Sequence, residues 1–279
     1  VEMMYRVIQR EYEGVELGCT AQYGTIYGDK MYITSKQDKD GGAKITGGRL
    51  TIADAKTLKV EKQFQTISAN GYTGKADGRA FLGVNEHKGY MGTSNGIFIL
   101  DLDKLEFTDF IKVPNDDEDL YTGQVGNMVR VNDYVFANHQ NAGLLVINAE
   151  TDKIEKTIKG PDDALIGTFT LAGDGNLYLM TSKNLLCLDP ATLEYTVVDL
   201  PEGTKLTNES WGAWTPSTLC ASRQQNAIFW GTASGWTGAE KVMKYDIDKK
   251  ECSTYFDLSD SDWRIYGCSF RIDPVTDEG

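Results

Sequence analysis

The feature that most restricts this chain is a recurring pair of apolar runs joined by an acidic turn. "LTIADAKTLKVEKQF" places Asp54 at its turn, "IFILDLDKLEFTDFI" places Asp101, and "LLVINAETDKIEKTI" places Asn148. "LLCLDPATLEYTVVDL" and "KVMKYDIDKKECSTYFDL" do the same with Asp189 and Asp246. The successive spacings are 47, 47, 41 and 57 residues. Asp or Asn at the head of a turn accepts hydrogen bonds from backbone N–H groups two and three residues on. Pro190 suits the next position because its ring fixes φ. A second hairpin lies upstream of each, as in "TAQYGTIYGDKMYITS", "YTGQVGNMVRVNDYVFANH" and "FTLAGDGNLYLMTS". Two hairpins per period make four strands, which is the make-up of a propeller blade. Continuous apolar runs such as Ile97 to Leu100 suit strands covered on both faces.

The expectation is therefore an all-β chain, a β-propeller of four-stranded antiparallel blades, in one domain over residues 1–279. Five blades fall near 20–64, 78–111, 124–158, 166–200 and 214–257. Residues 1–17 read as the last strand of an earlier blade, and 263–279 as the first strand of a later one. A stack of sheets left open exposes apolar faces. Either the two end pieces meet in a sixth blade, or the chain is an excerpt of a larger ring.

Charge narrows the partners. The 28 Lys+Arg against 41 Asp+Glu give a net charge of −13. That disfavours nucleic acid, whose phosphates need a surplus of positive charge, and disfavours broad contact with anionic lipid. No segment has the ~18 consecutive apolar residues of a membrane span. Five cysteines, at 19, 187, 220, 252 and 268, form no close pair, so a structural zinc site is not expected. Buried free thiols are the favoured reading of them, with one or two disulfides as the alternative.

Candidate chemistry is sparse. Of two histidines, His87 sits at a hairpin tip and His139 on a loop between second and third strands. Those loops open on the face that carries the ligand in many propellers, so His139 is a site candidate. No serine or cysteine has a His and Asp neighbourhood from which a nucleophilic triad can be argued. Asp116, Asp117 and Asp119 in "NDDEDLY" are weak calcium candidates against a plain solvated loop. The stronger lead is aromatic. Trp211, Trp214, Tyr23 and Tyr266 fall beside lead-ins to innermost strands, near the axis of a propeller, and Trp230 and Trp236 fall in "FWGTASGWTGAEK". Flat rings with polar tips suit a sugar or a planar cofactor, though they also plug gaps between blades. Gln22, Arg79, Gln124 and Asn127 occupy neighbouring positions and could supply hydrogen bonds.

"ELGCTAQYGTIYGDKMYITSKQ", "GGRLTIADAKTLK", "GTSNGIFILDLDKLE", "YTGQVGNMVRVND" and "IYGCSFRIDPVTDE" resemble the YncE-like β-propellers secreted by gut Gram-negative bacteria. The resemblance covers nearly the whole chain. It implies seven blades, hence the excerpt reading, and it implies export with an upstream lipid anchor. Some similar propellers, the BtuG-like group, bind cobalamin at the cell surface and cap a TonB-dependent transporter. Two functions are weighed. One is a non-catalytic surface module that captures a small molecule, cofactor or glycan on the aromatic-lined face, docked on such a transporter. The alternative is a propeller enzyme, a metal-dependent lactonase or a quinone-dependent dehydrogenase. The carboxylates lie mainly in turns, and histidine is scarce, so binding is preferred. The sequence requires no cofactor.

Overall fold

The structure is a computed structural model that describes residues 7–72, 76–207, 219–232, 238–265, 272–273 and 275–276. Over these described residues it is all-β, built as five four-stranded antiparallel sheets of the propeller-blade type. The first sheet holds β1 (Cys19–Tyr27), β2 (Lys30–Gln37), β3 (Leu50–Asp54) and β4 (Val60–Phe64). The second holds β5 (Gly78–Asn85), β6 (Lys88–Thr93), β7 (Gly96–Asp101) and β8 (Glu106–Phe110). The third holds β9 (Val125–Val131), β10 (Tyr134–His139), β11 (Gly143–Asn148) and β12 (Ile154–Ile158). The fourth holds β13 (Thr168–Leu171), β14 (Leu177–Met180), β15 (Leu185–Asp189) and β16 (Glu194–Val197). The fifth holds β17 (Leu219–Ala221), β18 (Ala227–Gly231), β19 (Lys241–Asp246) and β20 (Glu251–Asp257). Within each sheet the strands follow chain order, so every connection is a hairpin.

The acidic turns do the work their residue types suggest. Asp54 Oδ1 accepts from the N–H groups of Lys56 and Thr57, at 3.0 and 2.7 Å. Asp101 accepts from Asp103 and Lys104, and Asn148 from Glu150 and Thr151. Asp189 and Asp246 each take one such bond. Four residues after each of these stands a left-handed residue: Leu58, Leu105, Asp152, Leu193 and Lys250. A type I turn followed by one left-handed residue is a common way to close a hairpin of this length. Asp273 accepts from Val275 and Thr276 in the same manner.

Internal packing divides the chain into two units. The first comprises 1–130 with 148–154, and the second 131–147 with 155–279. In the first unit, Tyr32 of β2 stacks on Phe81 of β5, ring centroids 3.9 Å apart. Leu50, Ile52, Met91, Phe98 and Leu100 fill the same buried seam. Close approach needs bare backbone: a Cβ on Gly83 would lie 2.3 Å from the Tyr27 ring. The β11–β12 turn belongs to this unit because Asp152 is clamped there. Lys88 Nζ donates to Asp152 Oδ1 and to Ala149 O, both at 2.7 Å, and the buried Tyr90 hydroxyl donates to the same carboxylate. Burial, then Asp152, pushes the Tyr90 hydroxyl well above its ordinary pKa. In the second unit, Leu185, Leu219, Ile228 and Trp230 form the seam between the fourth and fifth sheets. Trp230 Nε1 donates to Lys205 O at 2.9 Å.

One stretch differs from the strand expected over 1–17. Val7–Glu11 form a short helix, α1, with Ile8 buried. Gln9, Arg10 and Glu11 favour helix. Tyr12 N–H bonds Ile8 O, and Gly14 at φ 80° turns the chain away.

Two outcomes follow. Turn N–H groups hold the carboxyls of Asp54, Asp101 and Asp246 below their ordinary value of 3.8. Their stabilisation is full above that value and lost as pH falls through the lower folded ones. Changing all three to Asn, the residue already present at 148, will flatten the loss of urea stability below about pH 4. An unchanged acid slope would remove these turns as its cause. A left-handed L-residue costs roughly 1–2 kcal/mol, partly offset in glycine by its freer unfolded chain. Lys250→Gly is therefore expected to raise stability by about 0.5–1 kcal/mol and Lys250→Val to lower it.

Candidate functional site

Two β-bulges shape the candidate site, both in the first unit. Between β1 and β2 the register runs Ala21↔Ser35 and then Tyr23↔Thr34, so Gln22 is the extra residue. Between β5 and β6 it runs Gly78↔Thr93 and then Ala80↔Gly92, so Arg79 is the extra residue. A bulge takes one side chain out of the pleat and re-aims it. Here the two re-aimed side chains meet: Arg79 Nη1 donates to Gln22 Oε1 at 2.9 Å. A guanidinium can only donate, so this bond fixes which way the Gln22 amide faces. Thr20, just upstream, has φ 55°, a strained value for a β-branched residue.

Arg79 is one end of a buried polar chain. Asp77 pairs with Arg49 Nη1 at 2.9 Å and with Arg79 Nη2 at 3.6 Å. The Arg79 side chain is only 4% exposed and that of Arg49 9%. Burial lowers the Arg79 pKa, and Asp77 opposes that shift. Arg49 also donates to Lys36 O at 2.7 Å and to Gln65 O at 3.1 Å, and Asp38 lies 3.9 Å from its Nη2. Asp77 is held in turn by Ser94, whose hydroxyl accepts its N–H at 2.8 Å. Thr34 Oγ1 donates to Arg79 O at 3.2 Å, tying the first sheet to the second at this point.

Of the residues singled out in the sequence, the structure brings Gln22 and Arg79 together. Tyr23 follows Gln22 in β1 and is half-buried. Gln124 directly precedes β9, and Asn127 lies buried within it. His139 ends β10 in the second unit and is buried. Its Nδ1 accepts from the N–H groups of Asn141 and Ala142, both at 3.2 Å, so that nitrogen closes a turn. Thr93 and Thr181 cap the matching turns of the second and fourth sheets with their hydroxyls. Trp211, Trp214, Trp236 and Tyr266 lie outside the described residues. Trp230, a further part of the aromatic lead, is core packing. Asp116 Oδ1 caps its own loop through Glu118 and Asp119 N–H, and Asp117 faces Lys153 at 3.6 Å. Among the described residues no three His, Cys, Asp or Glu are gathered as a metal would need. Sequence reading missed Arg49 and Asp77. Asp77 sat in "KADGRA" as one more polar loop residue, and Arg49 opened an apolar strand in "GGRL".

Known proteins bear on the fold. The family model described as Domain of unknown function (DUF5074) matches residues 2–278. The chain belongs to the DUF5074 family. No curated protein matches the DUF5074 chain. Among solved structures it resembles the extracellular domain of BT3049 from B. thetaiotaomicron, with TM-score 0.59 and 15% identity over 92% of this chain and 37% of that one. The extracellular domain of BT4673 from the same organism gives 0.57 and 16%, over 87% of this chain and 29% of that one. The DUF5074 chain thus spans about a third of the length of these domains. Virginiamycin B lyase from Staphylococcus aureus gives 0.57 and 11%, over 85% and 69%. At such identities the likeness establishes the shared fold. No helix among the described residues of the DUF5074 chain is long and apolar enough to cross a membrane.

The arrangement offers fixed polar groups near the starts of β1 and β5, held by buried charge. Removing one member of a buried pair strands the other at about 3–5 kcal/mol. Asp77→Ala is expected to cost the DUF5074 chain that much in urea unfolding. Gln22→Ala, which leaves Arg79 on Asp77, is expected to cost about 0.5–1.5 kcal/mol. Equal and small losses would mean that Asp77 does not anchor the cluster.

Proposed function

We propose that this protein is a non-catalytic binding module, taking a small molecule, cofactor or glycan where its innermost strands begin. The Gln22–Arg79 bond carries the reading. Side chains from two sheets are re-aimed by bulges and locked to each other at 2.9 Å. Bulges recur next to functional sites because they re-aim side chains there, and a preset donor array loses little freedom when a ligand arrives. In this reading the protein is exported, as the extracellular domains among its structural neighbours support. The finer assignment is a YncE-like propeller, distantly related to the BtuG-like group, partnering an outer-membrane TonB-dependent transporter. The sequence motifs quoted above support that assignment.

A thermal-shift screen of the purified protein against cobalamins, glycans, haem and calcium tests the reading. A compound that raises Tm for the wild type and loses most of that shift in Gln22→Ala is the expected result. A hit whose shift survives both Gln22→Ala and Arg79→Met would place binding elsewhere. Turnover of a lactone that depends on calcium would replace the module with an enzyme.

A further inference from the structure

We propose that Gln22 is the residue that touches the ligand, through Nε2, and that the group it receives is a carboxylate. The proposal rests on the binding reading above and names the chemistry of the same site. The Gln22 amide oxygen is taken by Arg79, so its two N–H groups face away from the guanidinium. One reaches Thr20 O at 3.4 Å, a long contact. Among the described residues no other acceptor of these hydrogens is present. Gln22 itself is half-exposed. Arg79, 4% exposed, is covered by the protein and acts as a positioning residue.

The guanidinium also changes what the amide prefers. A cationic donor on the carbonyl oxygen draws electron density from nitrogen and sharpens the N–H groups as donors. Such donors gain most from a charged acceptor. The carboxylates of the arginine cluster, Asp77 and Asp38, oppose an incoming anion. Asp77 is engaged by both guanidinia, at 2.9 and 3.6 Å, and Asp38 lies 3.9 Å from Arg49. Both are thus matched by the two arginines, which leaves Arg79 Nη1 directed at Gln22. Backbone strain at Thr20 and the bulge at Gln22 both act on the direction of this one amide.

Acetate is the minimal probe, with acetamide as its neutral isostere. In the ¹⁵N-labelled 279-residue chain, the Gln22 side-chain amide is assigned by its loss in Gln22→Ala. Acetate at constant ionic strength is expected to move that signal downfield saturably, with Kd ~10 mM, and acetamide to bind about tenfold more weakly. Arg79→Met should weaken acetate about tenfold while the Gln22 signal persists. Should that variant not fold, Gln22→Glu serves: the acetate response of the Ala21 and Tyr23 amides should vanish, because the new carboxylate repels the probe. A response absent in the wild type, or equal for acetate and acetamide, overturns the proposal. A screened ligand that needs Gln22, with acetate and acetamide alike, would leave the binding reading standing and remove the carboxylate. Saturable acetate binding with screened ligands indifferent to Gln22 would do the opposite.

Discussion

A four-stranded sheet whose central strands are apolar on both faces cannot stand alone, and that demand shapes the rest of this structure. In the first unit it is met by Tyr32 lying flat on Phe81, with Met91 and Phe98 closing around them. In the second it is met by Trp230 and its aliphatic neighbours. Sheets that approach this closely shut out water, so polar groups along the seam need protein partners. Thr34 finds the Arg79 carbonyl, the Asn138 amide finds that of Gly167, and the Trp230 indole finds that of Lys205. The seams are therefore apolar zippers with a polar pin set into each.

The candidate site grows out of one such pin. Where Thr34 ties the first sheet to the second, the strand it meets bulges, and Arg79 leaves the pleat. Once there, a buried cation must be neutralised, and Asp77 does so for Arg79 and Arg49 together. The structural need and the functional opportunity share the same atoms. Arg49 is spent on Asp77 and on backbone carbonyls, whereas Arg79 has a nitrogen left for Gln22.

What could be read from the sequence follows from how local each interaction is. Asp54, Asp101 and Asp246 signal their turns because the groups they bind lie two or three residues away. The four-strand grouping was legible for the same reason, since every connection is a hairpin. Gln22 and Arg79 could be picked out by position, at the lead-ins to innermost strands, but not as a pair. They are 57 residues apart, and neither bulge has a sequence mark. Arg49 and Asp77 were missed because their meaning lies in each other, 28 residues apart. The helix at Val7–Glu11 was missed because an apolar-polar stretch this short fits either period.

The clamp on Asp152 has a consequence in time as well as space. Lys88 and Tyr90 leave the ribosome more than 60 residues ahead of the carboxylate that receives them. Until that stretch emerges, an amine and a phenol destined for the interior have no counterpart. The first unit cannot complete this clamp as it is made. It waits for a turn contributed from beyond its own contiguous stretch, so a nascent chain halted in the third sheet holds the lock without its key.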